Sequence, residues 1–136
     1  MAMLPELPQK KNKREANWTT KTFRKWLKDN PMLSAPIEIK YTTKDNIPFK
    51  AVAPHQIDSL LACKSDKGFL WKIPDLGATN PFDCFYYRNS PAYICIKYPK
   101  GHVMIDVETF VMESKRSKRK SLTWSRAKEI SIFEKV

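Results

Sequence analysis

Two charged side chains stand two residues apart in an apolar run, Glu38 and Lys40 in IEIKY, residues 37–41. Side chains alternate along a strand, so Glu38 and Lys40 project from one face while Ile37, Ile39 and Tyr41 project from the other. Further along, His55 and Gln56 follow Pro54 at what reads as a helix start, where free backbone N–H groups point outward. An acid and an amine on one strand face, backed by a polar helix start, can hold a divalent metal and polarise a phosphate. The same residues also describe a surface ion pair on an edge strand, with His55 hydrogen-bonded locally. Asp83 is a lone acid in the aromatic run FDCFYY. Burying it costs energy unless it is paired or binds a metal; a backbone hydrogen bond or Lys97 across a hairpin would also satisfy it.

These residues need elements to position them. The strand spans 35–43, a turn falls at 44–46, and 47–52 is extended. A helix then starts at Pro54, buries Ile57, Leu60 and Leu61, and ends near Cys63. Upstream, 15–29 reads as an amphipathic helix with Trp18, Phe23, Trp26 and Leu27 on one stripe and Lys21, Arg24, Lys25 and Lys28 outside; Asn30-Pro31 stops it. Residues 1–14 read as a flexible basic arm. Downstream, strands are expected at 68–73, 82–87 and 92–98, the last two pairing as a hairpin through Arg88-Asn89-Ser90-Pro91. A further strand at 101–104, a helix over 106–113 capped by Asp106, a mobile basic loop at 114–120 and a last helix over 121–130 complete the chain. The expectation is a single domain over 15–136 of α/β (α+β) class, with a central mixed sheet of about four to five strands flanked by helices.

The 136 residues amount to one domain and a real core. Lys and Arg number 25 against 14 Asp and Glu, a formal net charge of +11. Such a surplus points to a polyanion, with nucleic acid the first candidate. The densest charge is SKRSKRK, where Lys115, Arg116, Lys118, Arg119 and Lys120 would bind DNA phosphates, joined by Lys21, Arg24 and Lys25 on the first helix. The three cysteines, Cys63, Cys84 and Cys95, form no CxxC pair, which argues against structural zinc and for a reducing, intracellular setting. Cys84 and Cys95 read as small buried residues. No signal-peptide core or membrane-length apolar run is present, so a protein that is not secreted and has no membrane partner is expected.

The stretch IEIKYTTKDNIPFKAVAPHQIDSLL resembles the E-x-K strand and following helix of Holliday junction resolvases of the RecU type, in the PD-(D/E)xK nuclease superfamily. Glu38, Lys40, Thr42, Phe49, His55, Gln56, Ile57 and Leu60 fall into that pattern. The strand AYICIKY and the Lys120-Ser121-Leu122 segment are similar to later parts of the family, so the likeness runs over roughly 15–130, with 37–61 its specific part. It implies a restriction-endonuclease-like core and a Mg²⁺-dependent (or Mn²⁺-dependent) endodeoxyribonuclease that cleaves branched DNA in recombination and repair, as a homodimer in the cytoplasm of a bacterial or phage-infected cell, with no small-molecule cofactor. Glu38 would bind metal, Lys40 would orient water or stabilise the transition state, and Gln56 would position water or a phosphate oxygen. The family's metal-binding Asp lies on a strand just before E-x-K, where this chain has only Asp29, at the end of the first helix. Asp83 is then the best substitute ligand and Asp75 the second; Glu15 is a possible further acid, and His55 a possible further site residue. If neither Asp reaches Glu38, the alternative is a non-catalytic nucleic-acid-binding protein with a degenerate nuclease fold. An interaction protein with an incidental basic tail is a third reading.

Overall fold

The computed structural model describes residues 10–29, 34–75, 77 and 79–135. Most of the expected basic arm, residues 1–9, and the Asn30-Pro31 helix stop lie outside the described residues. The fold is mixed α/β. Strands β1 (Ile37–Tyr41), β5 (Tyr93–Tyr98), β6 (Gly101–Asp106) and β8 (Phe133–Lys135) form a four-stranded mixed sheet in the order β1-β5-β6-β8. β1 and β5 run parallel, joined through α3 (Pro54–Lys64), while β6 is antiparallel to both β5 and β8. A parallel pair needs a long crossover, and α3 lies within it.

Period-2 alternation divides the core between the two faces of this sheet. Ile94, Ile96, Tyr98, Val103 and Ile105 turn one way, toward Leu60 and Cys63 of α3, Val107 and Phe110 of α4 (Val107–Arg116), and Trp124 and Ala127 of α5 (Trp124–Ile130). Cys95 and Met104 turn the other way, toward Trp18 and Phe23 of the N-terminal helix. Helices therefore cover both faces.

That N-terminal helix starts at Lys10, inside the stretch expected to be an arm, and consists of α1 (Lys10–Trp18), a π-helical turn (Thr19–Phe23) and α2 (Arg24–Lys28). The π turn is closed by the Arg24 N–H donating to the Thr19 carbonyl, an i→i+5 bond. It solves a spacing problem. Trp18 and Phe23 are five apart and would diverge on a regular α-helix, yet their rings stack with centroids 5.0 Å apart, and both are buried.

His102, on β6, lies beneath this aromatic group, edge-on to Trp18, Phe23 and Trp26 at 5.3, 5.5 and 4.7 Å. It is only 4% exposed, and its Nε2 has no hydrogen-bond partner among the described residues. Burial, helped by Lys97 and Lys135, lowers its pKa to about 4. A depressed imidazole pKa penalises the fold only when the unfolded chain takes up the proton. Stability is therefore expected to hold above about pH 6.5 and to fall by about 1.4 kcal/mol per unit between there and pH 4. Urea denaturation across that window, with a His102→Leu variant subtracting the carboxylate titrations, checks it; equal pH slopes for the two proteins would remove His102 as the cause.

Strand pairing differs from the sequence expectation in one place that matters. The strand in FDCFYY, β4 (Cys84–Tyr87), does not pair with β5; it pairs antiparallel with β3 (Phe69–Lys72) in a separate two-stranded hairpin. Asp83 falls just before β4, in a bend, so it does not meet Lys97 across a hairpin. The base of this hairpin is tied to the end of α3, where Asn89 N–H donates to the Ser65 carbonyl and Ser90 N–H to that of Cys63. Asn89 takes the left-handed conformation (φ 52°) that Asn tolerates. Gly68 is required at the other leg: its φ is +83°, and a Cβ there would lie 2.8 Å from the Tyr87 carbonyl. Cys84 is exposed rather than buried, while Cys63 and Cys95 are buried.

The segment expected as a mobile basic loop is held at both ends. Ser114, Lys115 and Arg116 complete α4, whose N-cap is Asp106, its side chain accepting from Glu108 N–H. Lys120 offers its carbonyl to Phe49 N–H at 3.0 Å. Ser121–Thr123 is β7, not helix, and pairs with β2 (Asn46–Pro48). After β2 comes a 3₁₀ turn, Phe49–Ala51, in place of continued extended chain. A bidentate pair clamps α5 to α4: Arg126 Nε to Glu113 Oε2 at 2.8 Å and Arg126 Nη2 to Glu113 Oε1 at 3.0 Å. Glu113 is buried, and the guanidinium lowers its pKa.

Candidate functional site

β1 is an edge strand of the sheet. Glu38 and Lys40 share its face, and the Lys40 ammonium lies 3.3 Å from Glu38 Oε1. Both are partly buried, with side chains 28% and 19% exposed. The third member comes from α3. Pro54 starts this helix, and Gln56 folds its side chain back so that Oε1 accepts from Ala53 N–H at 2.9 Å. That is half of a capping box, the half needing no side chain at the N-cap. It fixes which way the amide points. Nε2 then donates to Glu38 Oε1 at 2.9 Å. The structure thus brings Glu38, Lys40 and Gln56 together, and one carboxylate oxygen receives both the amide and the ammonium.

Glu38 and Gln56 open onto a cleft of about 460 Å³, with Lys40 behind them on Glu38. One wall holds Glu38, His55, Gln56 and Ser59; the other is the inner face of the hairpin, Phe69, Trp71, Phe85 and Tyr87. His55 is exposed and hydrogen-bonds through its carbonyl to Ser59 Oγ. Glu15, on α1, lines a second groove beside Glu38, together with Thr19 and Ile39.

Asp83 and Asp75 lie elsewhere. Both are exposed, near the far end of the hairpin; the Asp83 carbonyl accepts from Ile73 N–H, and Asp75 Oδ1 from Gly77 N–H. Neither is among the residues lining the Glu38 cleft. No cluster of three or more His, Cys, Asp or Glu suited to a metal ion occurs among the described residues. Two carboxylates, Glu38 and Glu15, line one groove, and Glu38 shares the cleft with His55. Two carboxylates suit Mg²⁺, which keeps several waters and takes further oxygens from a phosphate.

The basic residues form two exposed groups. Lys115 and Arg116 on α4 continue into Lys118, Arg119 and Lys120, and Lys21, Arg24 and Lys25 cover the outer side of the N-terminal helix. The aromatic cleft wall escaped sequence reasoning. Its signal was present in Phe69-x-Trp71 and Phe85-x-Tyr87, same-face spacing on two strands, and was hidden by assigning β4 to the wrong partner.

No helix among the described residues is long and apolar enough to cross a membrane. No family model matches the chain, and neither does any curated protein or solved structure.

Proposed function

We propose that the protein is a metal-dependent DNA endonuclease acting on branched DNA, its E-x-K strand, α3 crossover and β5 serving as a restriction-endonuclease-like core. The observation that carries this reading is the convergence of Gln56 and Lys40 on Glu38 at the edge of an open cleft. Glu38 and Glu15 would hold Mg²⁺ or Mn²⁺, which lowers the pKa of a bound water and neutralises charge on the scissile phosphate. Lys40 supplies fixed positive charge where negative charge develops on phosphorus oxygens. Gln56, its amide oriented by Ala53, holds Glu38 in place and presents a donor at the cleft. Cleavage of a branched junction favours a homodimer, whose two-fold axis can match that of the substrate. A recombination or repair role in the cytoplasm of a bacterial or phage-infected cell follows from the likeness to resolvases.

Incubation with Mg²⁺ or with EDTA on branched, blunt duplex and single-stranded DNA tests the reading. Metal-dependent cleavage, fastest on the branched substrate, is expected. Binding without cleavage of any substrate would overturn it and leave the second reading, a non-catalytic nucleic-acid-binding protein. That alternative is favoured by one observation: neither Asp83 nor Asp75 lines the cleft that contains Glu38.

The basic stretch makes its own prediction. Each phosphate contact contributes about 0.9 to the slope of log K against log salt. A Lys118→Ala/Arg119→Ala/Lys120→Ala variant should lower that slope by roughly 2–3. An unchanged slope in salt-titrated anisotropy would show that this stretch does not touch the backbone.

A further inference from the structure

The β3–β4 hairpin and the residue run just before β4 carry five of the large hydrophobic side chains exposed among the described residues. Leu70 is 58% exposed, Trp71 55%, Phe82 47%, Phe85 41% and Tyr86 57%. Trp71 and Phe85 share one face of the hairpin, with Phe82 packed edge-on against Phe85, and clustered exposed apolar surface of this kind marks an interaction site. We propose that the inner face of the hairpin is a stacking platform for unpaired bases, so that the substrate of the Glu38 site carries unpaired nucleotides at the cleft. The inference rests on the nucleic-acid reading above and narrows it.

The strand register builds the platform. Phe69 lies opposite Tyr87 and Trp71 opposite Phe85, so all four rings share one face. Along each strand the rings run nearly parallel: Phe69 and Trp71 are 15° apart in plane, Phe85 and Tyr87 9° apart. Phe69 and Tyr87 also pack against the main core and anchor the row. Trp71 and Phe85 do not; they extend it into solvent while lining the cleft.

The composition of the cleft selects its occupant. Facing these rings, apolar Ile37 and Leu60 lie beside Glu38, His55, Gln56 and Ser59. A purely apolar partner would leave those four polar side chains unmatched. A nucleobase is apolar on its faces and hydrogen-bonding at its edges, and so matches the rings on one side and the Gln56, His55 and Ser59 side chains on the other. The net charge of +11 adds a general attraction for a polyanion. In a paired duplex the base faces are covered by their neighbours, so these rings can meet only bases that are unpaired or flipped out.

Fluorescence anisotropy in EDTA, with a labelled oligothymidylate and a blunt duplex of equal length, tests this without requiring cleavage. A Trp71→Ala/Phe85→Ala variant is expected to lose about 10–100-fold in affinity for the single strand, with duplex affinity unchanged. Trp71→Phe, which keeps a ring, should retain most of the binding. Leu70→Ser, on the opposite hairpin face, should have no effect. These side chains are exposed, so the urea midpoint of each variant should match the parent and separates lost binding from lost fold. Equal losses on both probes, or none on the single strand, would overturn the inference. So would a wild-type dimer that becomes monomeric in the double variant, since a second copy would then be what covers the face. Failure of the catalytic reading looks different: no DNA is cleaved with Mg²⁺, yet the single-strand preference and its loss in the double variant persist.

Discussion

Glu38→Gln is expected to lower Mg²⁺-dependent DNA cleavage by about 10²–10³-fold, in line with removal of a group that acts on developing charge, while DNA affinity in EDTA stays near that of the parent. The substitution keeps the size of the side chain and removes only its charge. Gln56 Nε2 can still donate to the new amide oxygen, so α3 and β1 stay in register. What disappears is the anionic oxygen that receives Lys40 at 3.3 Å and would bind metal. Lys40→Ala should reduce cleavage by a similar factor through a different route, since it leaves the carboxylate and removes the cation. The two effects should not add, because both groups act on one oxygen cluster. Single-turnover rates for the two single variants and the double variant check this. Cleavage retained in both single variants would move the active site away from β1. Loss of binding in EDTA would instead identify the pair as part of the DNA contact surface.

The largest expected effect on stability is at Phe23. This ring is 1% exposed, stacks on Trp18 and Trp26, and meets His102 edge-on. Phe23→Ala should cost about 3–5 kcal/mol, transfer loss plus cavity. Lys21→Ala, two residues away on the exposed side, should cost less than about 0.5 kcal/mol. The contrast follows from the π turn, which swings Phe23 beneath the helix. The same turn sets the pose of α1 against β1 and so places Glu15 beside Glu38. Urea denaturation gives both numbers; equal costs at the two positions would mean that the helix does not dock as described.

Much of the scaffold was legible in the residue pattern. The alternation in IEIKY, the Pro54 start of α3, the Asp106 cap of α4 and the mixed sheet covered by helices all follow from local chemistry: side-chain period, missing N–H groups and capping oxygens. The apolar stripe of the first helix was legible too, although its five-residue step required a π turn that no local signal announces. The pairing of β4 was not legible. FDCFYY and AYICIKY are adjacent, β-prone and separated by a turn-like run, so a hairpin is the local choice. β5 instead sits between β1 and β6, the central position that buries Ile94, Cys95 and Ile96 completely. The less apolar FLWK is left to pair with β4. Burial of the whole sheet outweighed adjacency.

The same division runs through the site. The alternation in IEIKY alone puts Glu38 and Lys40 on one strand face, because the strand period allows nothing else, and composition alone makes the surface strongly basic. Which residues join them is set by long-range packing. Gln56 arrives because the crossover helix starts over the edge strand and Ala53 N–H turns its amide. Asp83 and Asp75 are carried off because β4 pairs with β3. Trp71 and Phe85 come to face Glu38 for that same reason. Partners across a cleft depend on which strands bury one another, a contest settled by the summed burial of the chain and not by any run within it.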